Sequence, residues 1–213
     1  MNLNCRFLWP ATVAIGLLFS TQAALAEHEH HQDQNHQHNH HMPVAMVEPV
    51  SEHSLHQLSA LWQDHHQQPL VLKELAGEAV IVTMIYASCQ TACPVLVADV
   101  KRLYQSLTDA EQADTRVLVV SFDAERDTPA ALHAFAQSLG GDHPGWHFVT
   151  GDKNDIRTMA ALLGIRYREN PNGGFDHSNV IAVLGRQGEI LGRQEGLMQS
   201  LERLMGALRS ALN

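Results

Sequence analysis

The sequence predicts an α/β fold in which a mixed central sheet carries helices on both faces. Three observations lead there. Ala79–Tyr86 (AVIVTMIY) and Arg116–Phe122 (RVLVVSF) are continuous apolar, β-branched runs, the pattern of strands buried on both sides. Segments with helical apolar spacing separate and follow them. Asn179–Leu184 and Glu189–Gln194 flank Gly185-Arg-Gln-Gly188, a hairpin pattern that adds an antiparallel pair to a series of parallel βαβ units.

In chain order, Leu70–Leu72 is a short strand candidate and Glu74–Gly77 a turn before the first long strand. Pro94–Leu107 has Val95, Leu96, Val100, Leu103 and Leu107 at helical spacing. After the second long strand, Asp127-Thr-Pro-Ala opens a helix running to Leu139, with Thr128 or Asp127 as N-cap and Pro129 in the first turn. His147–Thr150 is a short strand, and Lys153–Leu163 a helix stopped by Gly164. Leu197–Leu212 is a final amphipathic helix after the hairpin. The domain is expected to span residues 51–213.

The N-terminal 50 residues follow other rules. In residues 1–26 Arg6 is the only charged side chain, an apolar run follows, and Ala24-Leu25-Ala26 has the small-x-small form of a signal-peptidase site. Pro10, Ser20, Thr21 and Gln22 interrupt the apolar run, so a cleaved leader is expected rather than an uncleaved membrane anchor, and the mature chain is expected in the periplasm. Cys5 would leave with the leader. Residues 27–50 are a predicted disordered tail and linker, because the tract EHEHHQDQNHQHNHHM has too little apolar surface to offset its ordering entropy. Its histidines, His28, His30, His31, His36, His38, His40 and His41, suit copper, zinc or nickel.

The chain is acidic, with 14 Lys and Arg against 23 Asp and Glu and a net charge of −9, and it has no basic stripe. That argues against nucleic acid or anionic lipid as partner. Of the 3 cysteines only Cys89 and Cys93 remain after the leader. A disulfide-stapled mini-protein would carry more, and a chain of this length builds an ordinary core, so the pair points to chemistry rather than scaffolding.

Cys89 and Cys93 stand between the first long strand and the helix that follows, which is the thioredoxin arrangement with one residue more between the sulfurs. A spacing of four is expected to place both on one helix face, at an N-terminus whose unpaired N–H groups favour thiolate. The pair suits a redox couple or a metal clamp. In thioredoxin-like folds the loop ahead of the antiparallel strand packs near the cysteines, and here that loop carries Asp176-His177-Ser178. Two thiolates and one imidazole make a soft three-coordinate set suited to Cu(I). Asp123 and Asp127 lie at the C-terminal end of the second long strand, where sites in α/β sheets gather, and with Asp176 they are candidates to orient the ligands; Asp127 is also a candidate helix cap. His65, His66, His133, His143 and His147 read as ordinary surface or loop residues.

Taken together, Cys89-x-x-x-Cys93-Pro94, the segment Ser121–Pro129 (SFDAERDTP) and Asp176-His177-Ser178 resemble the Sco/SenC family of copper-binding, thioredoxin-like proteins. Leu72–Gly77 and Trp146–Gly151 agree as well, and the resemblance covers about Leu55–Leu191. It implies a thioredoxin-like fold, copper ligands at Cys89, Cys93 and His177, and family aspartates at Asp123 and Asp127. It also implies delivery of copper to an apo copper protein such as a cytochrome oxidase subunit. The chain departs from the family's usual pattern at Ala124, where a proline follows the aspartate, and in Gln90-Thr91-Ala92 between the cysteines. Alternatives from the residues themselves are a thiol–disulfide reductase, for which His177 is dispensable, and a metal buffer acting through the histidine tail. A thiol peroxidase would need an arginine beside one sulfur, and Arg126 is the nearby candidate.

Overall fold

The structure, a computed structural model, describes residues 53–213. The predicted leader, the histidine tract with its linker, and the first two residues of the predicted domain lie outside them. The described elements run β1 (Trp62–Asp64), β2 (Pro69–Leu70), β3 (Ala79–Ile85), α1 (Ala92–Gln105), α2 (Asp109–Ala113), β4 (Thr115–Ser121), α3 (Pro129–Ser138), β5 (Trp146–Thr150) and α4 (Lys153–Leu162). They continue with β6 (Tyr167–Glu169), β7 (Phe175–His177), β8 (Val180–Leu184), β9 (Ile190–Glu195) and α5 (Glu202–Leu212). Seven strands form one sheet in the order β2-β1-β5-β4-β3-β8-β9, and β6 pairs with β7 in a separate ribbon. Strands β3, β4 and β5 are parallel, whereas β8 runs antiparallel to β3, and β1 antiparallel to β5. The mixed sheet is thus as expected.

The unbroken apolar runs have a direct structural cause. Strand side chains alternate between faces, so a strand covered on both sides is apolar at every position. In β3, Ala79, Ile81 and Ile85 enter one core with Val117 and Val119 of β4, while Val80, Val82 and Met84 enter the other with Leu118 and Val120. Helices α1, α3 and α5 cover the first face through Leu96, Val100, Leu103, Leu132, Phe135, Leu204 and Leu208. Helix α4 covers the second through Ile156 and Met159, beside Trp62 and Leu72. Each such fully buried side chain contributes roughly 1.5–3 kcal/mol. Thr83, the polar interruption of β3, is also buried, and its hydroxyl donates to the Val180 carbonyl at 2.7 Å.

Several boundaries differ from expectation. Leu72–Leu75 is a 3₁₀ turn, and β2 ends at Leu70. The last helix begins at Glu202 rather than Leu197, because Gly196 (φ 105°) and Met198 (φ 55°) hold the preceding segment in left-handed conformations. Helix α4 stops as expected, with Gly164 left-handed just past its end. Thr128, not Asp127, caps α3: its hydroxyl accepts the Ala131 N–H at 3.2 Å, with Pro129 at the first helical position. That frees Asp127 for another task. Among the described residues no helix is long and apolar enough to cross a membrane.

Candidate metal centre

Cys89 lies three residues before α1 and not on the helix, so the two cysteines do not share a helical face. The sulfurs are linked differently. Cys89 Sγ accepts the Cys93 N–H at 3.3 Å, taking up one of the N–H groups that a first helical turn leaves unpaired. Both cysteines are free and buried, Cys93 completely and Cys89 at 6% exposure. His177 sits on β7, a strand rather than a loop, and pairs there with Tyr167. Its Nε2 is 3.7 Å from Cys93 Sγ, and its Nδ1 is 3.2 Å from the Ser178 carbonyl. That carbonyl can only accept, so Nδ1 carries the proton and Nε2 presents its lone pair to the sulfur.

Local electrostatics separate the two thiols. Burial works against ionisation of Cys89, but N–H groups of Cys93 and Thr91, the Cys93 thiol and the Tyr86 hydroxyl all donate to it, and its pKa is lowered overall. Burial is also the largest influence on Cys93 and pushes its pKa up strongly; the Tyr86 N–H opposes this, while the Cys89 sulfur and Asp127 reinforce it. The pair is therefore unequal: Cys89 ionises more readily than an ordinary thiol, and Cys93 resists ionisation. The helix-terminus effect expected for both cysteines acts on Cys89 alone.

Burial lowers the pKa of His177, against the opposing pull of the Ser178 carbonyl and Asp176, so the imidazole is neutral at pH 7. Burial is likewise the largest cause of lowered pKa at His56, His65 and His147. Each of these groups binds fewer protons folded than unfolded, so their contribution to stability is full above the ordinary value of 6.5 and is lost as pH falls toward the lowered folded values. The melting temperature is expected to drop between pH 7 and pH 5 in scanning calorimetry. His56→Gln should make that slope shallower.

The three aspartate candidates act on the site through its supports. Asp127 is 3% exposed, and its Oδ2 accepts the Ala87 N–H at 2.8 Å and the Ser121 hydroxyl. It thereby fixes the turn two residues ahead of Cys89. Asp123, equally buried, pairs with Arg126, whose guanidinium donates to the Gly173 carbonyl and lies 5.7 Å from the centre of the Phe175 ring. The pair holds the β6–β7 ribbon that carries His177. Those bonds direct Arg126, the arginine that a thiol peroxidase would need beside a sulfur, to Asp123 and the ribbon. Asp176 points away from the sulfurs to Arg168 at 3.0 Å and Asn170 at 3.3 Å, stiffening the same ribbon.

Two aromatic residues were not singled out in the sequence. The Phe122 ring lies 4.9 Å from the His177 ring, and the Tyr86 ring 6.0 Å from it. The Tyr86 hydroxyl reaches Cys89. Both follow the ends of long strands, and that position next to the cysteine segment was the available signal. A shallow cleft lined by Arg166, Tyr167, Arg168 and Ser178 opens at His177 on the ribbon side.

Comparison with known proteins identifies the family. The chain is 27% identical over 139 residues to the SCO1 protein homolog of Bacillus subtilis, covering 64% of this chain and 72% of that protein. Among solved structures, BsSco, described as a member of the Sco family of cytochrome c oxidase assembly proteins with a disulfide switch, superposes with a TM-score of 0.62 at 26% identity, over 71% of this chain and 90% of that one. Bradyrhizobium japonicum ScoI with copper bound has the same fold at 19% identity, with a TM-score of 0.57 over 71% of this chain and 96% of the other. The SCO1/SenC family profile matches residues 60–213, the whole of the sheet and its helices up to the C-terminus. With that match spanning most of its length, the chain belongs to the SCO1/SenC family.

Proposed function

We propose that this protein is an exported copper chaperone that carries copper on Cys89, Cys93 and His177 and passes it to an apo copper site, such as that of cytochrome c oxidase. The observation that carries the reading is the approach of the unprotonated Nε2 of His177 to Cys93 Sγ, at 3.7 Å, beside a second free thiol. Two sulfurs and one imidazole nitrogen fit Cu(I), whereas a structural zinc site wants four protein ligands. Copper is cargo here. Loading displaces the thiol proton of Cys93, so affinity rises with pH. Because Cys93 is fully buried, the incoming client ligand has to approach past His177 and Cys89, and an incomplete three-ligand shell leaves it room. The histidine tract would raise the local copper concentration, and residues 1–26 would direct export. Support comes from the family and from relatives that hold copper or are described as oxidase assembly proteins.

A second reading, a thiol–disulfide reductase that keeps client cysteines reduced, is favoured by the lowered pKa of Cys89 beside the raised one of Cys93. X-ray absorption at the copper edge, on the reduced full chain with one equivalent of copper, tests the first reading. A shell of about two sulfurs and one nitrogen is expected. An all-nitrogen shell, which the histidine tract alone would give, would overturn it.

A further inference from the structure

A second group of metal-ligating side chains lies toward the other edge of the sheet, where β1 is three strands from the β3 that leads into the cysteines. His65 and His66 occupy the turn between β1 and β2, His133 comes from α3, and Asp142 from the loop between α3 and β5. One donor atom from each of the four lies within 4.8 Å of all the others. Asp142 Oδ1 is 3.3 Å from His66 Nε2 and 3.6 Å from His65 Nε2. The His133 ring centre is 5.3 Å from that of His66 and 5.8 Å from that of His65. The turn itself is fixed, since Asp64 Oδ1 accepts the N–H groups of His66 and Gln68 at 2.9 and 2.8 Å.

Two features separate this group from histidines that merely share a surface. The His65 side chain has no exposed area, yet its Nε2, aimed at Asp142, has no hydrogen-bond partner. The buried Nδ1 of His133 has none either. Buried polar atoms are almost always paired, and leaving two imidazole nitrogens unpaired in adjacent rings is costly unless something else binds them. Burial and the neighbouring His66 and His133 also keep His65 neutral, the form that binds metal, against the pull of Asp64 and Asp142. The Phe148 N–H reaches His65 Nδ1 at 3.4 Å, a long bond that coordination at Nε2 gives up when the ring proton moves to Nδ1.

We propose that His65, His66, His133 and Asp142 form a second metal site, for a divalent ion of the zinc or copper(II) type. Three imidazoles and a carboxylate complete a four-ligand shell without sulfur, a borderline donor set unlike the soft one at Cys89, Cys93 and His177. An ion there would join the β1–β2 turn to α3.

Cobalt(II) is the probe, because a four-coordinate cobalt site absorbs visible light far more strongly than a six-coordinate one. In the full chain carrying Cys89→Ser and Cys93→Ser, Co(II) is expected to give four-coordinate bands that Zn(II) abolishes. Adding His66→Ala and Asp142→Asn, both at partly exposed positions that the fold tolerates, should remove the bands while circular dichroism stays unchanged. The same two changes in the reduced chain with its cysteines intact should lower the zinc stoichiometry by one ion. Residues 27–42 are the same in every variant, so their contribution cancels. Bands that survive the His66 and Asp142 changes, or no four-coordinate bands in the cysteine-free chain, would overturn the assignment. Neither result bears on the copper reading, since the cysteines are absent from the decisive comparison.

Discussion

His177→Ala is expected to lower copper affinity by at least about 100-fold while the two thiols keep their ability to reduce a disulfide. Loss of a partner that only orients a metal ligand costs about 10–100-fold in affinity, so loss of a ligand should cost at least the upper end of that range. The change is local. The ribbon carrying His177 stays held by Arg126 on the Gly173 carbonyl and by Asp176 on Arg168, neither of which involves the imidazole. The donors that stabilise the Cys89 thiolate are Cys93, Thr91 and Tyr86, and His177 is not among them. Competition against a Cu(I) chelator reads the first quantity, and reduction of a model disulfide reads the second. Wild-type copper affinity in the variant would leave a two-sulfur site and remove the imidazole from the ligand set. Equal loss of both activities would mean that the ring serves the thiols and not the ion.

How much of this was legible in the sequence depends on element length and on contact distance. β3 and β4 are readable because each spans seven residues whose apolar side chains alternate between two cores, Ala79, Ile81 and Ile85 against Val80, Val82 and Met84 in β3, and Val117 and Val119 against Leu118 and Val120 in β4. β1, β6 and β7 are three residues each, too short for any periodicity to register, so the strand carrying His177 reads as a loop. The ligand triad emerged from a motif and from a fold-level analogy. The aspartates that support it are candidates in the sequence as well, but their contacts are not legible there, because Arg126 grips a carbonyl 47 residues away and Asp127 an N–H 40 residues back, and no local pattern marks either contact. The same reason hid the His65 group. His65 and His66 look like any polar turn, and only the pairing of β1 with β5 and the packing of α3 bring His133 and Asp142 to them. His65, expected at the surface, is buried.

Asp127→Ala is expected to destabilise the fold by about 3 kcal/mol, because it strips the acceptor from a buried hydroxyl, Ser121, and a part-buried N–H, Ala87, and a donor left unpaired away from water costs about 1–3 kcal/mol. For a domain of this size each kcal/mol shifts the melting temperature by about 2–4 °C, so a fall of about 6–12 °C is the expected calorimetric result. The site should feel it too. Ala87 and Ser121 are the donors concerned, one at the turn that leads into Cys89 and the other at the end of β4, so a loosened turn moves Cys89 relative to the Cys93 N–H that its sulfur accepts. Copper affinity should fall by roughly 10-fold, the lower end of the cost of losing an orienting partner. Asp127→Asn separates charge from geometry. Its amide oxygen can still accept both donors, and since burial already raises the Asp127 pKa, the folded environment works against the negative charge. The amide variant should therefore retain most of the stability and the copper affinity. If Asn behaves like Ala, the carboxylate charge itself matters to the cysteine turn; if Ala melts like wild type, the bonds to Ala87 and Ser121 do not hold that turn in place.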